Sequence, residues 1–466
     1  MKIVICSSEV VPFAKTGGLA DVAGALPLAL EKLNQEVIVV MPKYSCVKNS
    51  GLAIKKLKPG FFFTTIGRNI KVYFIDNDKY YDRAGLYGEK TGDYPDNLLR
   101  FSFYCTKTLE LLEIIDFCPD VIHCSDWQST LIPVYLKTLL REDAFYKNTK
   151  TLLTIHNVAY QGLFPKEQFP NLGLDESLFS IDAFEFYGKI NFLKAGIVFA
   201  DSISTVSQGY AKEILTKEFG CGLEAVLSKK KNVLTGIING LDYSIWDPKT
   251  DKYIFKNFNG SVLDDKNANK KELQEICGLK TKEDIPLFGF VGRLAEQKGV
   301  DLLSELIKNI GNLKIQVVIL GTGDKRYHIL LEEAAKEFPQ SFSLSLKFDD
   351  VLAHRIYAAC DMFMMPSRYE PCGLGQMISF KYGTIPIVYK TGGLSDTVFD
   401  FDTETGDGNG FVFTSYSNAA FLDIVNRSKS VYSDKKTWGK LTEKVMTYNF
   451  SWEESAKRYI ELYKRV

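Results

Sequence analysis

Apolar positions in this chain come in short unbroken runs, separated by longer stretches with helical spacing. In the first half the strand candidates are 2–6, 37–41, 72–75, 121–123, 152–155 and 202–206. In the second half they are 287–291, 315–320, 362–365, 385–389 and 411–413. A run apolar at every position is a strand buried on both faces, which implies a parallel sheet covered by helices. Two such sets predict an α/β protein with two Rossmann-like, doubly wound domains. The length of 466 residues agrees, since it exceeds what one hydrophobic core supports.

The boundary is expected around Ile238-Asn239-Gly240-Leu241-Asp242 and the turn Trp246-Asp247-Pro248, giving domains 1–243 and 244–446. The polar, Asn-rich stretch 251–271 reads as a surface connection. In the tail 447–466, Ser451 and Glu454 have capping-box spacing, and Ala456, Tyr459, Ile460 and Tyr463 follow at helical intervals. This predicts a terminal helix with an apolar stripe to bury.

Charge narrows the partners. Lys plus Arg and Asp plus Glu each total 57, so no overall field favours nucleic acid or an anionic membrane. No apolar run approaches the roughly 20 residues of a membrane span, and a strand begins at Lys2, so the expected compartment is cytoplasmic. Nine scattered cysteines without a C-x-x-C pair fit reduced thiols, and four dispersed histidines argue against a zinc cage. Asp76-Asn77-Asp78 reads as a surface turn. No metal or cofactor is expected.

One element occurs twice. Lys15-Thr16-Gly17-Gly18-Leu19-Ala20-Asp21 follows the first strand, and Lys390-Thr391-Gly392-Gly393-Leu394-Ser395-Asp396 follows run 385–389. Each is a strand, a Gly-Gly turn and a helix start, where exposed amides attract anions. Between the copies, Gly292-Arg293-Leu294-Ala295-Glu296-Gln297-Lys298-Gly299 sets a guanidinium and an ammonium beside another helix start, a pair suited to a diphosphate. The loop Ser367-Arg368-Tyr369-Glu370-Pro371-Cys372-Gly373 follows run 362–365 and offers a carboxylate for sugar hydroxyls. Cys372 lacks a His or Asn placed to activate it and reads as a packing residue. His156-Asn157 and His123-Cys124-Ser125-Asp126-Trp127 end two further strands; His156 is the better functional candidate, while His123 fits a hydrogen-bonded core role equally well.

Together these motifs resemble the bacterial glycogen synthases and plant starch synthases, glycosyltransferase family 5, from Met1 to the terminal helix. The resemblance implies a GT-B fold, two domains facing a cleft, with the tail helix crossing back to the N-terminal, acceptor-side domain. It implies retaining transfer of glucose from ADP-glucose to an α-1,4-glucan. By the same resemblance Lys15, Gly17, Gly18 and Asp21 line the donor from the first domain, His156 lies at the reacting centre and Asn239 contacts the sugar. Arg293 and Lys298 clamp the diphosphate, Glu370 holds the glucose, and Thr391, Gly392 and Gly393 bind donor with Cys372 and Gly373 beside them. Phe348 stands where relatives stack an aromatic on adenine, often Tyr. Gln128 replaces a frequent His, and Ile378 stands where other retaining GT-B families carry a second Glu. The stretch 93–101, with Tyr94, Asn97 and Arg100, resembles an acceptor-side segment.

Three other readings compete. A nicotinamide oxidoreductase would need G-x-G-x-x-G with a downstream acid, which neither half has. A UDP-glucose-dependent relative and a non-catalytic glucan-binding protein share the motifs and are separated by assay. Two K-T-G-G-L elements serving one donor also imply domain closure on ADP-glucose.

Overall fold

The computed structural model describes residues 1–90, 92–259 and 263–466. The chain forms two compact units, Met1–Gly240 with Trp452–Val466, and Leu241–Ser451. It therefore changes unit at residues 240/241 and 451/452, where 243/244 and 446/447 were expected. The physical reason lies in one local pairing. The Leu241 amide donates to Phe450 O at 2.6 Å and Leu241 bridges Ser451, so the outgoing and returning segments run side by side.

The first unit is built on a nine-stranded sheet. Its strands are β1 (Lys2–Cys6), β2 (Glu36–Pro42), β3 (Lys55–Lys58), β4 (Phe61–Ile66), β5 (Ile70–Ile75), β6 (Val121–Ser125), β7 (Lys150–Ile155), β8 (Ser202–Thr205) and β9 (Leu234–Gly236). They lie in the order β9-β8-β7-β6-β1-β2-β5-β4-β3, parallel from β9 to β5. β3 and β4 add an antiparallel edge that the apolar runs did not announce. At this edge β3 is almost wholly Lys, with Lys55 and Lys56 facing water, and in β4 the short run Phe61-Phe62-Phe63 gives way to Thr64-Thr65. Asp76, from the expected surface turn, pairs with Lys43 at 2.8 Å, and helix α1 (Gly18–Lys32) packs beside β2.

The terminal helix α5 (Trp452–Tyr463) packs on α1 and buries Trp452, Ala456, Tyr459 and Tyr463. The expected capping box does not form. The Ser451 amide takes Asn449 Oδ1 at 3.0 Å, and Glu454 reaches forward to Lys457 at 2.6 Å. Tyr463 Oη meets His123 Nδ1 at 2.8 Å, and His123 Nε2 meets Thr154 Oγ1 at 2.5 Å. Burial drives the His123 pKa down to about 3, so this histidine is a neutral link between helix and sheet.

The second unit has a six-stranded, all-parallel sheet, β12-β11-β10-β13-β14-β15. Its strands are β10 (Leu287–Val291), β11 (Gln316–Leu320), β12 (Phe342–Ser345), β13 (Met362–Met365), β14 (Ile385–Tyr389) and β15 (Phe411–Phe413). The edge strand β12 reads Phe-Ser-Leu-Ser, an alternation that hid it among the polar segments.

The expected surface connection 251–271 is instead structural, apart from 260–262, which lie outside the described residues. Asp251 is buried and accepts from His354 Nδ1 at 2.6 Å and Tyr382 Oη at 2.5 Å. Helix α2 (Leu263–Ile276) buries Lys266, Asn269, Lys270 and Gln274. Lys270 Nζ donates to Asp361 Oδ2 at 2.7 Å, Tyr432 Oη at 2.8 Å and Glu283 O at 2.8 Å. Asp361 Oδ2 also accepts the Leu287 amide at 2.8 Å, which ties α2 to the amino ends of β10 and β13. Lysine here serves as a multiple donor to groups that would otherwise be buried unpaired.

Removing one partner of such a pair leaves an uncompensated buried charge. Asp361→Ala should lower unfolding stability by about 3–5 kcal/mol in urea titration. Lys270→Met combined with Asp361→Leu should recover most of that loss.

Candidate functional site

In an open parallel sheet the loops that leave the strands' carboxyl ends share one edge, and ligands bind there. The residues singled out from the sequence fall on those loops, within each unit separately.

In the first unit the loop after β1 is organised by Glu9, which sequence reasoning had not selected. Its buried carboxylate accepts from Thr16 Oγ1 at 2.6 Å, from the Thr16 amide, and from the Gly17 amide at 3.3 Å. Tyr87 Oη donates to the same carboxylate at 2.7 Å. The Gly17 amide is thus turned to the protein's own carboxylate. Lys15, half exposed, pairs with Asp21 at 2.7 Å, so these two expected ligand contacts face each other. Gly17 and Gly18 are exposed, and an added Cβ on either would meet nothing within 4 Å. The one signal for Glu9 was its place, a carboxylate three residues after an apolar strand.

His156 follows β7. Asp126, following β6 with φ +50°, accepts the His156 amide at 2.7 Å, and the Asn157 amide also donates to it. Burial pushes the Asp126 carboxyl up to about 7 and the His156 imidazole down to about 4. The His156 ring is partly exposed as a whole, yet its Nε2 is shielded and has no partner among the described residues. Asn239 follows β9, is buried, and leaves Oδ1 equally unpartnered. Orphaned buried polar atoms cost stability, and they are expected where a ligand completes the bonding. Gly240 has a different purpose: a Cβ there would lie 2.4 Å from Trp452 Cα, at the start of α5. Arg100, from the acceptor-like stretch, is fully buried and donates to Asn97 Oδ1, Tyr80 O and Leu86 O at 2.6, 2.7 and 2.9 Å. It ties the backbone at Tyr80 and Leu86 to Asn97.

In the second unit, Lys298 after β10 and Glu370 after β13 meet at 2.5 Å, and Ser367 Oγ donates to the same Glu370 oxygen at 3.0 Å. The resemblance had given them separate ligands; here they form one charged pair. The Arg368 amide donates to Gln297 O at 2.9 Å, which brings the two loops together. Arg368 itself turns away to Asp301 at 2.8 Å. Arg293 is exposed, with no carboxylate partner among the described residues. Phe348, following β12, is 82% exposed, an unusual setting for a phenyl ring.

The second glycine turn differs from the first. Thr391, Gly392, Gly393 and Cys372 are all buried. The Gly393 amide donates to Glu370 O at 3.0 Å, and a Cβ on Gly393 would lie 2.1 Å from Cys372 O. Gly393 is therefore glycine because two backbones touch, and its amide is taken up by the Glu370 carbonyl. Gly392, at φ +41°, needs glycine for its conformation. Among the described residues no three His, Cys, Asp or Glu side chains gather as a metal site, and no helix is long and apolar enough to cross a membrane.

Comparison with known proteins gives this geometry its context. Residues 2–229 match the family model of the starch synthase catalytic domain, and 272–445 match glycosyl transferases group 1. The glycogen synthase of Geotalea daltonii is 49% identical over 100% of this chain and 99% of its own length. The chain belongs to the glycogen and starch synthase family. The glycogen synthase of Thermosipho melanesiensis is 47% identical, over 100% and 99% of the two chains. Among solved structures, the catalytic domain of starch synthase IV from Arabidopsis thaliana, bound to ADP and acarbose, aligns with a TM-score of 0.89 at 35% identity, covering 100% of this chain and 98% of that one. Sucrose-phosphate synthase from Thermosynechococcus elongatus shares the fold, with a TM-score of 0.60 at 20% identity over 100% and 98% of the chains. A glycogen or starch synthase relative is a hexosyltransferase, and the two Rossmann-like units are those of the GT-B fold.

The depressed His156 pKa has a definite sign. Between pH 6.5 and about 4 the unfolded histidine is protonated while the folded one is not, so this group subtracts stability as pH falls through that window. In an NMR titration, His156 should remain neutral down to pH 5. His156→Gln should lose less stability than the parent between pH 7 and pH 5.

Proposed function

We propose that this chain transfers glucose from ADP-glucose to the non-reducing-end 4-hydroxyl of an α-1,4-glucan, with retention of the α configuration. The observation that carries the reading is the Lys298–Glu370–Ser367 cluster beside the Gly392–Gly393 turn, in a chain matched along its whole length by glycogen synthases. The ADP and acarbose in the Arabidopsis relative support ADP as leaving group and an α-glucan as acceptor.

Glycosyl transfer breaks the bond from the anomeric carbon to phosphate through an oxocarbenium-like state, while negative charge grows on the departing diphosphate. Cations fixed before the reaction stabilise that charge without reorganisation. Lys298, held in place by Glu370, and the exposed Arg293 serve this role in the second unit. They take the part that a divalent metal plays elsewhere, so none is required. Phe348 offers its exposed face to adenine.

Glu370 receives hydrogen bonds from Lys298 and Ser367, which lower its nucleophilicity and suit it to orienting glucose hydroxyls. We therefore assign no covalent glycosyl intermediate. Departure and attack occur on one face, with a phosphate oxygen of the leaving group accepting the proton of the acceptor hydroxyl. His156, neutral at physiological pH, and Asn239 Oδ1 offer uncharged hydrogen-bonding atoms for the sugar.

Coupled detection of ADP with glycogen as acceptor tests the reading. Turnover should require ADP-glucose, persist in EDTA, and yield bonds cleaved by an α-1,4-glucosidase. Preference for UDP-glucose would overturn the donor assignment, and loss of activity in EDTA restored by Mg²⁺ would overturn the metal-free one. Arg293→Ala and Lys298→Ala should each lower kcat by roughly 10²–10³, the usual effect of deleting one preorganised electrostatic contact. Near-normal turnover by Glu370→Gln would remove Glu370 from its role.

A further inference from the structure

Gln376 lies at the start of helix α3 (Gly375–Lys381), fully buried and outside every motif considered so far. Its Nε2 is 3.1 Å from Cys372 O, 3.1 Å from Gly373 O and 3.2 Å from Thr397 Oγ1. Two carbonyl acceptors decide which end of the amide carries the nitrogen. Thr397 ends helix α4 (Gly392–Thr397) and donates its Oγ1 to Gly393 O at 2.8 Å. The Gly393 amide in turn donates to Glu370 O at 3.0 Å. The contacts therefore close a ring: Glu370 loop, Gln376, Thr397, Gly393, and back to Glu370.

Sterics tighten the same ring. Gly373 has φ +74°, and a Cβ on it would stand 2.5 Å from Gln376 Oε1. Outside the ring, Asn409 Nδ2 donates to Thr397 O at 2.9 Å and Asn409 Oδ1 accepts the Phe399 amide at 2.7 Å, so the far end of α4 is anchored too. Gln376 Oε1 has no hydrogen-bond partner among the described residues. The unpaired Oε1 lowers stability while Nε2 satisfies the Cys372 and Gly373 carbonyls, so what distinguishes glutamine here is the tie its amide makes between two loops.

We propose that Gln376 is a positioning residue for the transfer. Its amide ties the Glu370–Gly373 loop to the Thr391–Thr397 segment, so that Glu370 and the second glycine turn keep one fixed register. The inference rests on the function proposed above and adds a residue to it. Gln376 touches no reacting atom and acts through Glu370 and Gly393.

The experiment compares Gln376→Met, Thr397→Val, Thr397→Ser and the Gln376→Met/Thr397→Val double variant in ADP-glucose turnover, thermal unfolding and calorimetric ADP binding. Gln376→Met should lower kcat/KM for ADP-glucose at least tenfold while leaving the KM for glycogen within twofold, a split that a general loss of stability would not produce. Thr397→Val should act in the same direction, Thr397→Ser should restore near-parental rates, and the double variant should be no worse than the weaker single. Gln376→Met within twofold of the parent, multiplying losses in the double variant, or Thr397→Ser as impaired as Thr397→Val would each overturn the proposal. Should Gln376→Met not fold, the Thr397→Val and Thr397→Ser pair still decides it. A parent inactive with ADP-glucose would sink the functional reading by itself, whereas a tenfold weakening of ADP binding in Gln376→Met reads the tie independently of turnover.

Discussion

A parallel strand buried on both faces can present polar chemistry only where it ends, and both units are built from such strands. Every loop that carries a functional candidate hangs from a carboxyl end: Glu9 and Lys15 after β1, Asp126 after β6, His156 after β7, Arg293 and Lys298 after β10, Glu370 after β13, Gly393 after β14. The opposite ends need their own polar closure, and in the second unit Lys270 and Asp361 supply it by joining helix α2 to the starts of β10 and β13. Ligand chemistry and structural ion pairing are thereby kept at opposite edges of one sheet.

Loops at such an edge would be floppy without internal partners, and the structure supplies one buried polar group to each. Glu9 gathers the Thr16 and Gly17 donors with Tyr87, Asp126 holds the His156 and Asn157 amides, and Gln376 bridges two loops. Each uses one side chain to fix loop backbone where it leaves a strand or enters a helix. Preorganisation of this kind matters for electrostatic catalysis, since donors that must reorient as charge develops stabilise it far less.

The strands of the parallel interior were legible to within two or three residues, because burial on both faces concentrates apolar residues in them, even where β6 and β8 also bury His123, Ser202 and Ser204. The antiparallel edge β3–β4 and the edge strand β12 were not, because exposure on one face dilutes the pattern with Lys and Ser. Helix α2 escaped for the opposite reason: its buried face is polar, satisfied by acceptors as remote as Asp361 and Tyr382. In the site, charged residues in glycine-rich loops were legible by composition. Glu9, Asp126 and Gln376 act through partners folded onto them, and beyond a place near a strand's end for Glu9 and Asp126 local spacing does not separate them from solvated residues.

The duplicated Lys-Thr-Gly-Gly-Leu shows how far a motif can be read physically. Both copies follow a strand and open a helix, as the spacing implies. The first copy is exposed, with room for a Cβ at either glycine and an internal carboxylate on the Gly17 amide. The second is buried, with Gly393 pressed against the Cys372 carbonyl. Identical letters therefore answer two different steric demands. At the first, substitution by Ala meets no clash, so a penalty there would report on a ligand's approach. At the second, Ala collides with the protein's own backbone whatever is bound, and its loss would report on the loop register that Gln376 and Thr397 maintain.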